Sequence, residues 1–175
     1  MANEHLIQGI EIERKYIIMK PDLDFISKLP SAKVFRIEQT YLLSENGVTH
    51  RVRRRTVGGV DYYFETRKTR IDKMSVIEEE GEISAEAYRE LLKHRDPDSH
   101  PIHKTRYTLA HLGFTLEIDV YPEWQNTAIL EVELPSRDTE PTFPDFIKIV
   151  REVTGERPYS NAAMSYSFPK EDSIG

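Results

Sequence analysis

Carboxylates spaced two residues apart recur along this chain: Glu11 and Glu13, Glu78 and Glu80, Glu117 and Asp119, Glu131 and Glu133. Cations recur at the same spacing: Arg51, Arg53 and Arg55, then Lys104 and Arg106. Lys15 follows Glu13 by two, and Lys68 follows Thr66 by two. In an extended strand, residues two apart share a face. Paired carboxylates are hard oxygen ligands suited to Mg²⁺ or Mn²⁺. Arg and Lys clusters suit phosphoryl oxygens, and Arg can bind two at once. Acidic and basic walls together describe a metal–polyphosphate site. Phosphoryl transfer asks for positioning, charge neutralisation and an activated water, all of which such a site supplies.

The elements that must carry these residues read as strands. Residues 6–19 alternate, with Glu11, Glu13 and Lys15 on one face and Ile10, Ile12, Tyr16 and Ile18 on the other. Residues 33–43 and 48–56 flank Asn46-Gly47, a hairpin signal. Gly58-Gly59 makes the next turn into an aromatic-rich strand over 60–69, and 74–84 follows. Residues 102–109 and 112–121 form a second hairpin, and 127–134 is a strand stopped by Pro135. Helices are expected over 21–29, over 85–94 behind a Ser84 cap, and over 145–153 before Gly155. The tail from Arg157 has no clear period.

Eight strands in hairpin order with few helices predict a mainly β, α+β fold: a closed antiparallel barrel, which removes edge strands. One strand with a charged face ordinarily turns that face to water. Here the charge is segregated by strand, acidic on the first, fifth, seventh and eighth, and basic on the third and sixth. A solubilising surface mixes signs. If helices cover the apolar outside, the charged faces line a lumen, which is costly to build unless it is wet and holds a highly charged ligand.

The chain has 175 residues, 38% hydrophobic and 31% charged, which predicts one domain over 1–175 with residues 162–175 docking on the barrel. No apolar run approaches the roughly 18–20 residues that cross a bilayer. The start lacks the basic and apolar regions of a secretory signal, so a cytoplasmic location is expected. The absence of Cys excludes disulfides and thiolate metal sites, and a net charge of −6 argues against general nucleic-acid binding. The six histidines show no ligand spacing, and Tyr62, Phe64 and Trp124 read as packing, rim or loop residues.

Glu11-Ile-Glu-Arg-Lys resembles the E-x-E-x-K signature of the CYTH superfamily, also called triphosphate tunnel metalloenzymes. The resemblance continues in order through Gln39-Thr-Tyr-Leu, Arg51-Val-Arg, Thr66-Arg-Lys, Glu78-Glu-Glu, Lys104-Thr-Arg-Tyr, Glu117-Ile-Asp-Val, Glu131-Val-Glu-Leu-Pro, Glu152-Val-Thr-Gly and Tyr159-Ser-Asn. It implies an eight-stranded antiparallel tunnel with a charged lumen. It implies metal-dependent hydrolysis of a triphosphate, foremost inorganic triphosphate to pyrophosphate and phosphate, with Mg²⁺ or Mn²⁺. Glu11, Glu13, Asp119, Glu131 and Glu133 are the implied metal ligands. Lys15, Arg51, Arg53, Lys68, Lys104 and Arg106 are the implied triphosphate contacts, with Glu78 and Glu80 beside them. Lys15 and Glu13 are the residues on which turnover is expected to depend. The alternatives are thiamine triphosphatase, a class IV-type adenylate cyclase, and a non-catalytic polyphosphate or nucleotide binder. The cyclase branch carries His-Phe six residues ahead of E-x-E-x-K; His5 keeps that spacing here, but Leu6 replaces Phe.

Overall fold

In the computed structural model, which describes residues 6–174, three tight turns set the hairpins. Asn46-Gly47, Gly58-Gly59 and Leu112-Gly113 all have positive φ at both positions, the backbone twist that matches paired strands. The strands are β1 (Ile7–Met19), β2 (Lys33–Leu42), β3 (Val48–Val57), β4 (Val60–Arg70), β5 (Ser75–Ile83), β6 (Ile102–His111), β7 (Phe114–Val120), β8 (Thr127–Glu133) and β9 (Ile149–Glu152). Helices α1 (Leu23–Ser27), α2 (Ala85–Leu92) and α3 (Asn161–Met164) are short. Ser84 caps α2 by accepting from the Ala87 N–H, and Asp22 caps α1 by accepting from the Phe25 N–H.

The sheet runs β5-β4-β3-β2-β6-β7-β8-β1, and β1 returns to pair with β5, so eight antiparallel strands close a barrel. β1 does this by dividing its length. Ile7–Ile12 pairs with β5, and Glu13–Met19 pairs with β8. Where β5 has ended, β9 takes its side of β1, opposite Tyr16–Ile18.

That ninth strand overturns the expected helix over 145–153. Only a turn forms after Pro144, with Ile147 N–H donating to its carbonyl. Ile149 and Val150 are β-branched and complete the free edge of β1; a vacant ladder outweighs a weak helical pattern.

Apolar packing lies outside the wall and at one end of the lumen. Outside, Tyr16, Ile18, Leu116, Ile118, Leu130 and Val132 pack against Ile26 and Ile147, while Val52 and Leu42 pack under Tyr88 of α2. Inside, Ile17, Tyr41, Ile102, Tyr121 and Ile129 fill one end and meet Trp124, Tyr159, Met164 and Ile174. Phe168 packs edge-on to Tyr121 and Trp124, at 5.3 and 5.2 Å between ring centroids. Trp124 Nε1 donates to the Pro169 carbonyl, and Glu171 accepts from the N–H groups of Gln125, Asn126 and Thr127. Among the described residues no helix is long and apolar enough to cross a membrane.

Candidate active site in the barrel lumen

Strand register decides which side chains meet. Directly opposed residues share a face, and the ladder runs Tyr41, Arg51, Thr66, Glu80 around one side of the barrel. On the other side it runs Lys15, Glu131, Glu117. The charged faces therefore converge on a cavity of about 300 Å³ lined by Glu11, Glu13, Lys15, Arg51, Arg53, Lys68, Glu78, Glu80, Arg106, Glu117, Glu131 and Glu133, among others. Around the closed barrel the cations occupy β4, β3 and β6, one arc. The carboxylates occupy β7, β8, β1 and β5, the facing arc, to which Lys15 contributes the one ammonium.

Cations and carboxylates meet where the arcs join. Lys68 Nζ lies 2.8 Å from Glu11 and 2.9 Å from Glu78. Arg53 Nη2 donates to both oxygens of Glu80 at 2.9 and 3.1 Å, and Thr66 donates to the same carboxylate at 2.7 Å. Lys15 Nζ lies 3.1 Å from Glu131 and 3.4 Å from the Tyr159 carbonyl. Arg51 has no carboxylate salt bridge among the described residues; it stands opposite Tyr41 in the ladder, whose hydroxyl accepts from Gln39 Nε2 at 3.0 Å. Among the described residues the Nε of Arg51 and of Arg53 is buried without a hydrogen-bond partner. Such donors are costly to leave unmet, and they suit an anion entering the lumen.

Two implied ligands sit behind this wall. Lys104 and Asp119 do not line the cavity. Lys104 Nζ donates to Asp119 at 2.7 Å, and both side chains are buried. Asp119 also receives Arg106 Nε and Nη2 at 2.7 and 2.8 Å. Arg106 further contacts Glu131 at 3.3 Å and ion-pairs with Glu117. Asp119 thus orients the face of Arg106 that meets the cavity. Burial alone would raise the Asp119 carboxyl, but Arg106 and Lys104 hold it below its usual range. Burial pulls Lys104 down to about 8.

Electrostatics mark the β1 carboxylates differently. Burial pushes Glu11 up to about 7 against the pull of Lys68. Burial and the nearby Glu131 push Glu13 up as well. Glu13 has no ion pair among the described residues and stands opposite Glu133 in the ladder. Burial opposes the Lys15 ammonium, yet Glu131 and Glu13 more than offset it. Among the described residues no three His, Asp or Glu side chains are gathered at ligand distance of one point. The donor chemistry nonetheless fits a hard divalent cation. Glu11, Glu13, Glu131 and Glu133 supply carboxylate oxygens on one arc, and two of them are disfavoured as anions without added positive charge.

Arg70 and Asn161, outside the charged pairs read from the sequence, line the cavity, and so does Glu117, which the sequence places on a charged face but the resemblance does not assign as a ligand or contact. The period of two places Glu117 on the same face as Asp119, so that signal was present. Asn161 lies in the aperiodic tail, and only the Tyr159-Ser-Asn likeness touched it. His5 lies outside the described residues.

A closed eight-stranded barrel whose lumen divides into cationic and carboxylate arcs is the architecture of the triphosphate tunnel metalloenzymes. Over 91% of its length the chain is 26% identical to the inorganic triphosphatase NE1496, covering 96% of that chain with a TM-score of 0.56. It is 21% identical to PH1012 from Pyrococcus horikoshii OT3, over 73% of this chain and 80% of that one, with a TM-score of 0.54. It is 14% identical to HpAC1 from Hippeastrum, an adenylyl cyclase candidate with a dominant triphosphatase activity, over 71% and 80% with a TM-score of 0.50. The last two likenesses are of fold. No protein-family model and no curated protein matches the chain. The barrel fold and the 26% identical inorganic triphosphatase support the triphosphate tunnel, or CYTH, superfamily.

Proposed function

We propose that the protein hydrolyses the terminal phosphoanhydride of inorganic triphosphate, giving pyrophosphate and phosphate, and that it does so with Mg²⁺ or Mn²⁺. The observation that carries this reading is the divided lumen, in which, among the described residues, neither Arg51 on the basic arc nor Glu13 on the acidic arc has an ion pair. NE1496, the 26% identical relative, is an inorganic triphosphatase.

In this reading Arg51, Arg53 and Lys68 hold phosphoryl oxygens along β3 and β4, and Lys15 and Arg106 close on them from the other side. A divalent ion held by Glu11, Glu13, Glu131 and Glu133 would supply charge neutralisation and a lowered pKa for water. The water oxygen forms a bond to the terminal phosphorus as the bridging P–O bond breaks, and pyrophosphate leaves with the electron pair. The water's proton passes to a carboxylate of the acidic arc. Burial raises Glu13 and Glu117 above the ordinary range, which makes both better bases than a solvated glutamate. Lys104 and Asp119 fix Arg106 from behind, so their contribution is to orientation.

A substrate panel tests the reading: inorganic triphosphate, thiamine triphosphate, ATP and an RNA 5′-triphosphate, each with Mg²⁺ and with Mn²⁺. The highest kcat/KM is expected for inorganic triphosphate. Cyclic AMP from ATP, or binding without turnover of any of the four, contradicts it.

A further inference from the structure

Among the described residues lining the cavity, Asn161 is the one carboxamide. It arrives from outside the barrel, as the first residue of α3. Its side chain is almost wholly buried, with 8% of the residue exposed. Its Oδ1 accepts the Tyr121 O–H at 2.8 Å, and Tyr121 is buried in the apolar cluster at that end of the lumen. This bond fixes the carboxamide's orientation. The oxygen faces the protein, and Nδ2, with two N–H donors, has no partner among the described residues while Asn161 forms part of the cavity wall. Arg51 and Lys15 line the same cavity.

We propose that Asn161 is a substrate-binding residue whose Nδ2 donates to a phosphoryl oxygen of the bound triphosphate. This deepens the triphosphate reading and rests on it. A neutral donor contributes a hydrogen bond to an anion without desolvating a further cation. It also makes the C-terminal segment part of the binding site. Asn161 is held by Tyr121, and Tyr121 is held by the ring contacts with Phe168 and Trp124. Packing of residues 164–174 therefore sets the position of one substrate contact.

Asn161→Asp separates this role from a structural one. Aspartate keeps the shape and keeps an oxygen for the Tyr121 hydroxyl, but it replaces the –NH₂ donor with a negative oxygen. The measurement is the Kd of inorganic triphosphate by calorimetry in EDTA, alongside the thermal midpoint. Asn161→Asp is expected to weaken binding at least about tenfold, the scale of one hydrogen bond to a charged group, with the midpoint retained. Asn161→Ala is expected to weaken binding comparably. A wild-type Kd in Asn161→Asp overturns the proposal. Because the assay reads binding without metal, a wild type that binds triphosphate but never hydrolyses it contradicts the hydrolytic function and leaves this contact standing.

Discussion

Lys68 Nζ lies 2.8 Å from Glu11 on β1 and 2.9 Å from Glu78 on β5. These two strands close the barrel against each other, so one ammonium from β4 neutralises the carboxylates on both sides of the closing seam. Lys68→Met leaves Glu11 and Glu78 facing each other without their cation. The expected result is a loss of about 1–2 kcal/mol in unfolding free energy, together with weaker triphosphate binding. Urea unfolding in EDTA checks the first, and unchanged stability would contradict the bridging role.

Arg51 and Arg53 are neighbours on one face with different partners, which makes their roles separable. Arg53 is held by Glu80, whereas Arg51 has no carboxylate ion pair among the described residues and stands opposite Tyr41 in the ladder. Arg51→Ala is expected to raise KM for triphosphate roughly 10- to 100-fold with little change in stability. Arg53→Ala is expected to raise KM and also lower the thermal midpoint, because Glu80 loses its counter-charge. Equal thermal losses in the two variants would contradict this division.

Much of this site was legible in the sequence because a strand has an integer period. Glu11, Glu13 and Lys15 could share a face in only one way, and closure of the sheet decided that the face looks inward. What was not legible depended on depth and on tertiary pairing. Glu117 and Asp119 share a face, yet one lines the cavity and the other lies behind it under Lys104 and Arg106. The strand Ile149–Glu152 exists because β1 has a free edge where β5 stops, and no local pattern carries that information. Asn161 reaches the lumen through the packing of an irregular segment, which has no period to read.

Glu11 gives a pH prediction. Its carboxyl is raised in the fold to about 7 from an ordinary value near 4.5, so between those values the folded protein binds more protons than the unfolded chain. Stability in EDTA is therefore expected to fall as pH rises from about 4.5 to about 7. Glu11→Gln removes this slope, so the variant gains on wild type across the same window. Parallel urea curves at pH 5 and pH 7.5 check it, and a constant difference between the two proteins would contradict it.

The C-terminal segment is expected to matter for both stability and binding. Met164 and Ile174 are buried against the barrel's apolar end. Deleting residues 162–175 exposes Tyr121 and Trp124 and removes the cap made by Glu171. A lowered thermal midpoint and a raised KM for triphosphate are expected. A truncated protein with unchanged KM would contradict a binding contribution from this end of the lumen.

The central claim is hydrolysis of inorganic triphosphate in this lumen. It is tested most directly by following triphosphate with ³¹P NMR, with Mg²⁺ and then with EDTA, for wild type and Glu13→Gln. One pyrophosphate and one phosphate per triphosphate, formed by wild type with Mg²⁺ and lost with EDTA or in Glu13→Gln, is the predicted result. Triphosphate left intact by folded wild type with Mg²⁺ or Mn²⁺, or cleaved equally well by Glu13→Gln, would contradict it.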